Sequence, residues 1–201
     1  MTKGYNVPDG ITEVVYEIKK SRFIARLIAA GDREQAMSVL ALAKLDYPDA
    51  RHHCWGYLIG PPTQPKLLAA SDDGEPSGTA GKPILNVMQH KDVGDVMLVV
   101  IRYFGGIKLG AGGLVRAYSQ AAQLAYENAS TVFLAKLSEY RITCEFADEQ
   151  TIRHWLSKKA GAVLDVQYSQ QVLIFISLSD KYEQEFRQFL ASIGVNKLSI
   201  R

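Results

Sequence analysis

The sequence is poor in cysteine, in net charge and in long apolar runs, and each shortage excludes a class of protein. Two cysteines occur in 201 residues, far apart and without a CxxC spacing, so neither a disulfide framework nor a structural zinc site is expected. No apolar run reaches about 18 residues, so no transmembrane helix and no membrane partner are predicted. Residues 1–10 lack an apolar signal core, and a cytoplasmic location is expected.

The composition that is present suits an ordinary globular protein of one or two domains. Hydrophobic residues make up 47% of the chain and charged residues 22%, enough for real cores. Nine of the 16 glycines fall between positions 74 and 113, and residues 137–201 hold eight basic and eight acidic residues. The net charge of +2 therefore belongs to the first two thirds and is too small to indicate nucleic acid by itself. We predict two domains, with the special chemistry in the first.

The most unusual stretch is RYFGGIKLGAGGLVRAY, residues 102–118. It follows the apolar, β-branched run VMLVVI of residues 96–101, which predicts a buried strand, and a helical pattern of apolar residues begins after Tyr118. Glycine tolerates positive φ and the close approach of a ligand. Five glycines lie between the predicted strand and the predicted helix: Gly105, Gly106, Gly110, Gly112 and Gly113.

Three cations surround this glycine loop, namely Arg102, Lys108 and Arg116, and no acid lies between them. A helix N-terminus adds free N–H groups and a partial positive charge, so the combination is typical of an anion site. The alternative is a tight, packed turn without a ligand, because the stretch matches neither the Walker pattern nor the dinucleotide fingerprint. The sequence leaves both interpretations open.

The second distinctive stretch is SDDGEPSGTAGKP, residues 71–83, whose glycines and prolines predict a loop. Its three carboxylates, Asp72, Asp73 and Glu75, are of the type that holds Mg²⁺ beside phosphate. They are equally suited to capping turns and to pairing with Arg102 or Lys108, and this structural role is favoured. Thr79 is a candidate cap for a helix that begins near Pro83 and ends near residue 90.

Shorter motifs precede these stretches. Residues 11–18 and 23–29 predict strands, and the KKSRF sequence between them is either a solvated hairpin turn or a phosphate-contacting edge that includes Arg22. Asp32 is a good N-cap for the helix that follows, with Gln35 completing a capping-box pattern.

Two adjacent histidines, His52 and His53, lie in a predicted strand over residues 51–59. Neighbouring side chains in a strand point to opposite faces, so the two imidazoles are not expected to ligate one ion. No HExxH motif or Cys/His cluster supports a metal, and no metal site is predicted.

The last third has the clearest pattern of elements. Strands are predicted over residues 140–146, 162–168, 172–178 and 195–200, and helices over residues 149–160 and 181–193. Their order, βαββαβ, is the ferredoxin-like arrangement. That fold hosts many functions and identifies none.

Four motifs together resemble those of the IMPACT family, and specifically its bacterial YigZ-like branch. They are KKSRF at 19–23, RHHC at 51–54, and the stretches at 71–83 and 102–118. The resemblance covers essentially the whole chain. It implies an α+β protein with an N-terminal domain (1–135) like the second domain of ribosomal protein S5 and a C-terminal ferredoxin-like domain (136–201). Both architectures recur in proteins that touch RNA or the ribosome, and the first also occurs in small-molecule kinases.

The resemblance also implies a motif cleft and a type of function. Eukaryotic members of the family resemble regulators of translation, although their best-understood partner contact uses an extra N-terminal domain, so their stress-kinase mechanism is not expected to transfer. No catalytic residue and no cofactor are implied. The cleft would be formed by Arg102, Tyr103, Gly105, Gly106, Lys108, Gly110, Gly112, Gly113 and Arg116, facing Asp72, Asp73, Glu75, Thr79 and Lys82.

The leading hypothesis is a translation regulator that binds RNA or a ribosome-associated partner. Arg102, Lys108 and Arg116 would contact phosphates, and Tyr103 would stack on a base. One alternative is an enzyme acting on a small phosphorylated metabolite or nucleotide, with Mg²⁺ held by residues 72–75 and His52 or His53 as base. Another is a protein-interaction module with a purely structural glycine loop.

Overall fold

The computed structural model describes residues 4–195 and 197–200, so residues 1–3, 196 and 201 lie outside the described chain. The chain divides into two compact units, an N-terminal unit over Tyr5–Leu134 and a C-terminal unit that holds the described residues from Ala135 together with Gly4. Helices and antiparallel strands are present in both, so the predicted α+β class is confirmed.

The strands are β1 Gly4–Pro8, β2 Thr12–Ile18, β3 Ser21–Ala29, β4 His52–Ile59, β5 Leu67–Ser71, β6 Val96–Tyr103, β7 Thr131–Ala135, β8 Leu137–Cys144, β9 Ala162–Tyr168, β10 Val172–Ser179 and β11 Lys197–Ile200. The helices are α1 Arg33–Asp46, α2 Gly81–Gln89, α3 Ala111–Asn128, α4 Phe146–Lys158 and α5 Glu183–Ser192, with a short 3-10 helix at Asp180–Tyr182.

The N-terminal unit is built on a five-stranded antiparallel sheet in the order β2-β3-β6-β4-β5. Strand β6 is central and its apolar run is buried on both faces, because α2 and α3 cover one face and α1 covers the other. The side chains of β6 alternate between two cores, with Leu98 and Val100 on the α3 side and Val99 and Ile101 on the α1 side. Strands β1 and β7 form a separate two-stranded sheet.

Helix α1 begins as its sequence predicts. Asp32 is the N-cap, and its Oδ1 accepts a hydrogen bond from the Gln35 backbone N–H at 2.8 Å. The Gln35 side chain reaches back, and its Oε1 accepts from the Gly31 N–H at 2.9 Å. The reciprocal pair satisfies donors that would otherwise be unpaired at the helix start.

Helix α3 begins earlier than its sequence pattern predicts. The apolar periodicity placed the start after Tyr118, whereas the helix begins at Ala111, so Gly112 and Gly113 lie in its first turn. Leu114, Ala117 and Tyr118 are already buried on its inner face. Glycine lowers helix propensity, but tertiary packing of this face outweighs that cost.

The C-terminal unit has the predicted ferredoxin-like order. Its sheet is β11-β8-β10-β9, all antiparallel, with α4 and α5 supplying the core side chains Ile152, Leu156, Phe186 and Leu190. The first strand is shifted relative to prediction, since β8 ends at Cys144 and α4 starts at Phe146. Position 196 of the predicted last strand lies outside the described residues.

Within the described ranges, the structure has no helix that is both long and apolar enough to cross a membrane.

Candidate functional site

A cleft of about 580 Å³ lies in the N-terminal unit, at the end of the sheet where β6 finishes and α3 starts. Strand β6, the loop after β5, the start of β4 and the first turn of α3 all contribute to it. Its lining residues are Arg51, His52, Glu75, Pro76, Arg102, Phe104, Lys108, Leu109, Gly110, Ala111 and Leu114.

The floor of the cleft is a buried ion pair. Arg102 Nη1 donates to Glu75 Oε1 at 2.5 Å, and the two residues are 7% and 8% exposed. The Tyr118 hydroxyl donates to the same Glu75 oxygen at 2.8 Å. The guanidinium also lies over the rings of Phe23 and Phe104, at 5.5 and 5.7 Å from their centroids. Among the described residues, Arg102 Nε has no hydrogen-bond partner.

Cys54 lies beneath this pair, and its thiol is not expected to be reactive. Its Sγ is 2.9 Å from the Asp72 carbonyl oxygen and 3.3 Å from the Tyr118 hydroxyl. Burial raises the pKa of Cys54 to about 12, and burial likewise raises the pKa of Tyr118 above its ordinary value. The thiol is therefore protonated at neutral pH and is not positioned as a nucleophile.

The carboxylates of the 71–83 loop are engaged in structural contacts. Asp72 Oδ1 accepts from the backbone N–H groups of Ala80 and Gly81 at 3.0 and 2.8 Å, and Oδ2 accepts from Gly78 at 2.8 Å. Burial acts to raise the pKa of Asp72, but these three donors outweigh it and hold the pKa below its usual value. Asp72 therefore caps the start of α2. Thr79, the cap predicted from sequence, instead donates its hydroxyl to the Pro76 carbonyl.

Asp73 binds the strand beside it rather than facing the cleft centre. Its Oδ2 accepts from the His53 backbone N–H at 2.7 Å. Among the residues described, no three His, Cys, Asp or Glu side chains are grouped closely enough to hold a metal ion. The observed contacts of Asp72, Asp73 and Glu75 correspond to the capping and pairing role that the sequence favoured.

The two histidines lie on opposite faces of β4. His52 lines the cleft, and its Nδ1 is 2.8 Å from the Asp73 carbonyl oxygen. Because a carbonyl oxygen only accepts, Nδ1 carries the proton and Nε2 is the acceptor in the neutral ring. His53 is 5% exposed on the α1 side, where burial lowers its pKa despite the opposing effect of Asp73. Of these two histidines, His52 is the one that lines the cleft.

The glycines of the loop serve different purposes. A Cβ on Gly105 would lie 1.9 Å from the carbonyl carbon of Lys20, so this glycine is required by packing against the β2–β3 turn. Gly106 and Gly110 have φ of +86° and +72° and open space around them. Gly110 is the N-cap of α3, and within the described part of the chain no side-chain hydrogen bond caps that helix.

The start of α3 is left open to an anion. No acidic residue lies in its first turn, so the N–H groups of Ala111, Gly112 and Gly113 have no carboxylate acceptor there. The first N–H groups of a helix have no acceptor within the helix. Gly110 and Ala111 line the cleft, and so this helix end faces it.

The structure brings together some of the residues predicted from sequence and separates others. Those that line the cleft are His52, Glu75, Arg102, Lys108 and Gly110. Tyr103 lies on the α1 side of the sheet, where the Arg22 guanidinium stacks over its ring at 4.9 Å from the centroid. The remaining predicted cations, Lys82 on α2 and Arg116 on α3, are exposed outside the lining.

Several lining or supporting residues were missed by the sequence prediction. Arg51 and Cys54 belong to the RHHC motif at 51–54, and Tyr118 ends the stretch at 102–118, so these motifs could have indicated them as site residues. Phe104 also carried a signal, because residues two apart in an extended segment share a face and Phe104 lies two positions after Arg102. Its side chain is 56% exposed at the rim, beside Leu109.

The lining combines charge with apolar walls. Three cations, Arg51, Arg102 and Lys108, stand against the single carboxylate of Glu75, a net charge of +2 with His52 left out of the count. The N-terminus of α3 adds its partial positive charge. Such a site suits an anion that also carries an apolar or aromatic part.

Comparisons with known proteins agree on one family. A family model described as the Impact N-terminal domain matches residues 19–126, and one described as a domain of unknown function (DUF1949) matches residues 142–194. The chain is 38% identical to the IMPACT family member YigZ of Escherichia coli strain K12, over 96% of this chain and 95% of that protein. It is 35% identical to an IMPACT family member of Haemophilus influenzae, with coverages of 98% and 96%.

A solved structure shows the same fold over the full length. It is the crystal structure of a protein described as hypothetical, with 36% sequence identity and a TM-score of 0.71. The match covers 100% of this chain and 97% of that one.

Proposed function

The chain belongs to the IMPACT family, and from that membership and the cleft we propose that it binds RNA through the cleft and takes part in the regulation of translation. The observation that carries the proposal is the open N-terminus of α3 facing a cleft with a net charge of +2. RNA backbones are bound by such cations and by free N–H groups.

Phosphate binding is divided between the backbone and two exposed side chains. The N–H groups at the start of α3 donate to a phosphate oxygen, as those of helix N-termini do. Lys108 and Arg51 are exposed and line the cleft, so their charges are free to contact phosphate. Arg102 is paired with Glu75, and it acts as the positively charged floor rather than as a mobile contact.

A base stacks on Phe104 in this proposal. The ring is 56% exposed at the cleft rim, and the Arg102 guanidinium lies 5.7 Å from its centroid. Aromatic side chains provide sequence-tolerant platforms for unpaired bases. The proposal therefore moves the stacking role from Tyr103, whose ring lies on the α1 side of the sheet, to its neighbour.

The link to translation comes from the family resemblance. It supports a role at the ribosome or on RNA that the ribosome uses, without naming the partner. The residues of the cleft support RNA binding, and family membership supports a role in translation.

Fluorescence anisotropy with a labelled structured RNA that has single-stranded ends tests the proposal, at low and near-physiological salt. The informative variant is Arg51→Ala/Lys108→Ala, which leaves the buried pair of Arg102 and Glu75 intact. We expect weaker binding and a slope of log affinity against log salt that is smaller by about 1.4, since each lost contact to a single strand removes about 0.7.

The matched control is Arg33→Ala/Lys66→Ala. Both residues are exposed and lie at the opposite end of the same sheet, so the net charge changes equally without touching the cleft. If both double variants weakened RNA binding equally, the loss would be due to overall charge, and this would contradict the cleft as the binding site. A protein that bound no RNA, and yet bound ribosomes as well with Arg51→Ala/Lys108→Ala as without it, would give a different answer. That result would show that it recognises a protein partner through another surface.

A second function is favoured by the size of the cleft and by His52. A volume of about 580 Å³ lies within the range of about 300–1,000 Å³ typical of small-molecule sites. His52 Nδ1 faces the Asp73 carbonyl oxygen, which leaves Nε2 as the ring nitrogen that could accept a proton beside three cations. An enzyme acting on a small phosphorylated metabolite or nucleotide would use these features, and nucleotide turnover that is lost in His52→Gln with unchanged ligand binding would establish it.

A further inference from the structure

We infer that the cleft takes the terminal phosphate monoester of a nucleotide, with its base on Phe104, rather than a phosphodiester inside a continuous strand. This inference rests on the proposed phosphate-binding function and specifies its ligand.

The first observation is the charge of the lining. Three cations and one carboxylate give a net charge of +2 around one small volume. A phosphate monoester carries about −1.5 to −2 at neutral pH, whereas a phosphodiester carries one negative charge. The lining therefore matches the dianion, and a diester would leave excess positive charge in a partly closed space.

The second observation is the number of donors. The start of α3 offers the N–H groups of Ala111, Gly112 and Gly113, and its first turn holds no acid. A monoester presents three non-bridging oxygens to such donors, and a diester presents two. Independently of the helix, Arg102 lines the cleft at 7% exposure, and among the described residues its Nε has no hydrogen-bond partner. A buried guanidinium N–H without an acceptor calls for a partner, and an anion in the cleft would supply one, as would a water.

The third observation is the size and apolar part of the cleft. Phe104, Leu109, Leu114 and Pro76 line it together with the cations, in a volume of about 580 Å³. One nucleotide has both the anionic and the aromatic part that this lining accepts. A long strand would extend beyond it.

Two sources supply this chemistry, a free mononucleotide and the 5′-phosphorylated end of an RNA. Both present the same phosphate monoester next to a sugar and a base. Competition between them distinguishes the source.

The test compares three short single-stranded RNAs of one sequence, labelled at the 3′ end. Their 5′ ends carry a hydroxyl, a phosphate, or a phosphate methyl ester, which keeps one negative charge. We expect the 5′-phosphate RNA to bind about tenfold or more tightly than the other two, because charge-assisted hydrogen bonds to the extra oxygen are lost in both. A nucleoside 5′-monophosphate is then titrated as competitor, with inorganic phosphate alongside.

Two variants at Gly112, in the first turn of α3, differ only in whether the new side chain carries a charge. Gly112 has a helical backbone, and a Cβ there would meet only the end of the Arg116 side chain at 3.8 Å. Gly112→Glu adds a negative charge in the first turn of α3, which repels an anion bound at that helix start, and Gly112→Gln adds nearly the same bulk without charge. We expect Gly112→Glu to bind the 5′-phosphate RNA at least about tenfold more weakly than Gly112→Gln, while both remain folded because a Cβ at Gly112 meets nothing closer than 3.8 Å.

The outcomes separate this inference from the proposed function. If the protein prefers the 5′-phosphate RNA and Gly112→Glu abolishes that preference, the inference is supported and the ligand is the end of an RNA. A mononucleotide that binds as tightly as the 5′-phosphate RNA supports it with the free nucleotide as the source. Equal binding of all three RNAs, still weakened by Arg51→Ala/Lys108→Ala, overturns the inference and leaves RNA binding standing. No binding of any RNA or of the mononucleotide overturns both.

Discussion

Arg102 and Glu75 form a buried ion pair, 2.5 Å between Nη1 and Oε1, that joins the central strand to the loop preceding α2. The Tyr118 hydroxyl donates to the same carboxylate oxygen, so a residue of α3 completes the group. Three separate parts of the chain are thereby held at the cleft floor. A buried charge whose partner is removed is costly, and this makes the pair a sensitive test of the structure.

Replacing Arg102 alone should destabilise the protein strongly. We expect Arg102→Met to lower the free energy of unfolding by about 3–5 kcal/mol, because it leaves the Glu75 carboxylate buried without its cation. The double variant Arg102→Met/Glu75→Gln removes both charges and should recover much of the loss. Urea unfolding of the wild type and both variants measures this, and a double variant no more stable than the single one would contradict it.

The cap made by Asp72 should make stability depend on pH. Its pKa is held below the usual value, since three backbone N–H donors outweigh the opposing effect of burial. The carboxylate therefore stabilises the fold above about pH 4, its unfolded pKa, and this contribution declines as pH falls through the lower folded pKa. We expect Asp72→Ala to cost about 1–2 kcal/mol at pH 7 and less at pH 3.5.

Urea unfolding at the two pH values measures the Asp72 effect. Asp92 is exposed and serves as the control, so Asp92→Ala should change stability little at either pH. A cost for Asp72→Ala that stayed constant between them would mean that the carboxylate charge is not what stabilises the start of α2.

Two glycine-to-alanine changes in the glycine stretch should act in opposite directions. A Cβ at Gly105 would lie 1.9 Å from the Lys20 carbonyl carbon, so Gly105→Ala must displace backbone and should cost about 3 kcal/mol. Gly112 lies in a helix with space around it, so Gly112→Ala should stabilise by about 0.5–1 kcal/mol. Thermal and urea unfolding compare them, and equal shifts would show that the close approach of Gly105 to Lys20 is absent in solution.

The two thiols should be unreactive in the folded protein. Burial raises the pKa of Cys54 to about 12 and that of Cys144 to about 11. Because the thiolate is the reactive form, we expect no measurable modification by a disulfide reagent at pH 8 over minutes. Both thiols should react promptly in denaturant. Rapid native modification at either position would show that its surroundings open readily.

Phe104 should contribute to ligand binding and little to stability. If a base stacks on its exposed ring, Phe104→Ala should weaken binding of a single-stranded RNA by about 1–3 kcal/mol. Its effect on unfolding should stay within about 0.5 kcal/mol, since the ring is 56% exposed. Anisotropy titrations of this variant beside Tyr103→Ala decide which aromatic residue stacks, and a larger loss for Tyr103→Ala would return the role to it.

Several elements could be predicted because their signals act over a few residues. The cap at Asp32 and Gln35, the buried run of β6 and the alternation along β4 each depend on side chains that neighbour one another in the chain. The βαββαβ order of the C-terminal unit follows from successive patterns of period two and 3.6. The short strands β1, β5 and β7 had no predicted counterpart. Helix α3 was predicted to start too late, because glycines in its first turn hid a start that packing of Leu114 and Tyr118 determines.

Only the tertiary structure decided which candidate side chains meet. Glu75 and Arg102 are 27 residues apart, and the sequence left open whether that carboxylate would hold a metal, cap a turn or pair with a cation. Sheet order places β6 beside β4 and aims Arg102 toward α3, and the same alternation sends Tyr103 to the other face. The sequence by itself determined the residue types and the local elements. The long-range pairing of strands determined the site, because that pairing sets which side chains share a face and lose contact with water together.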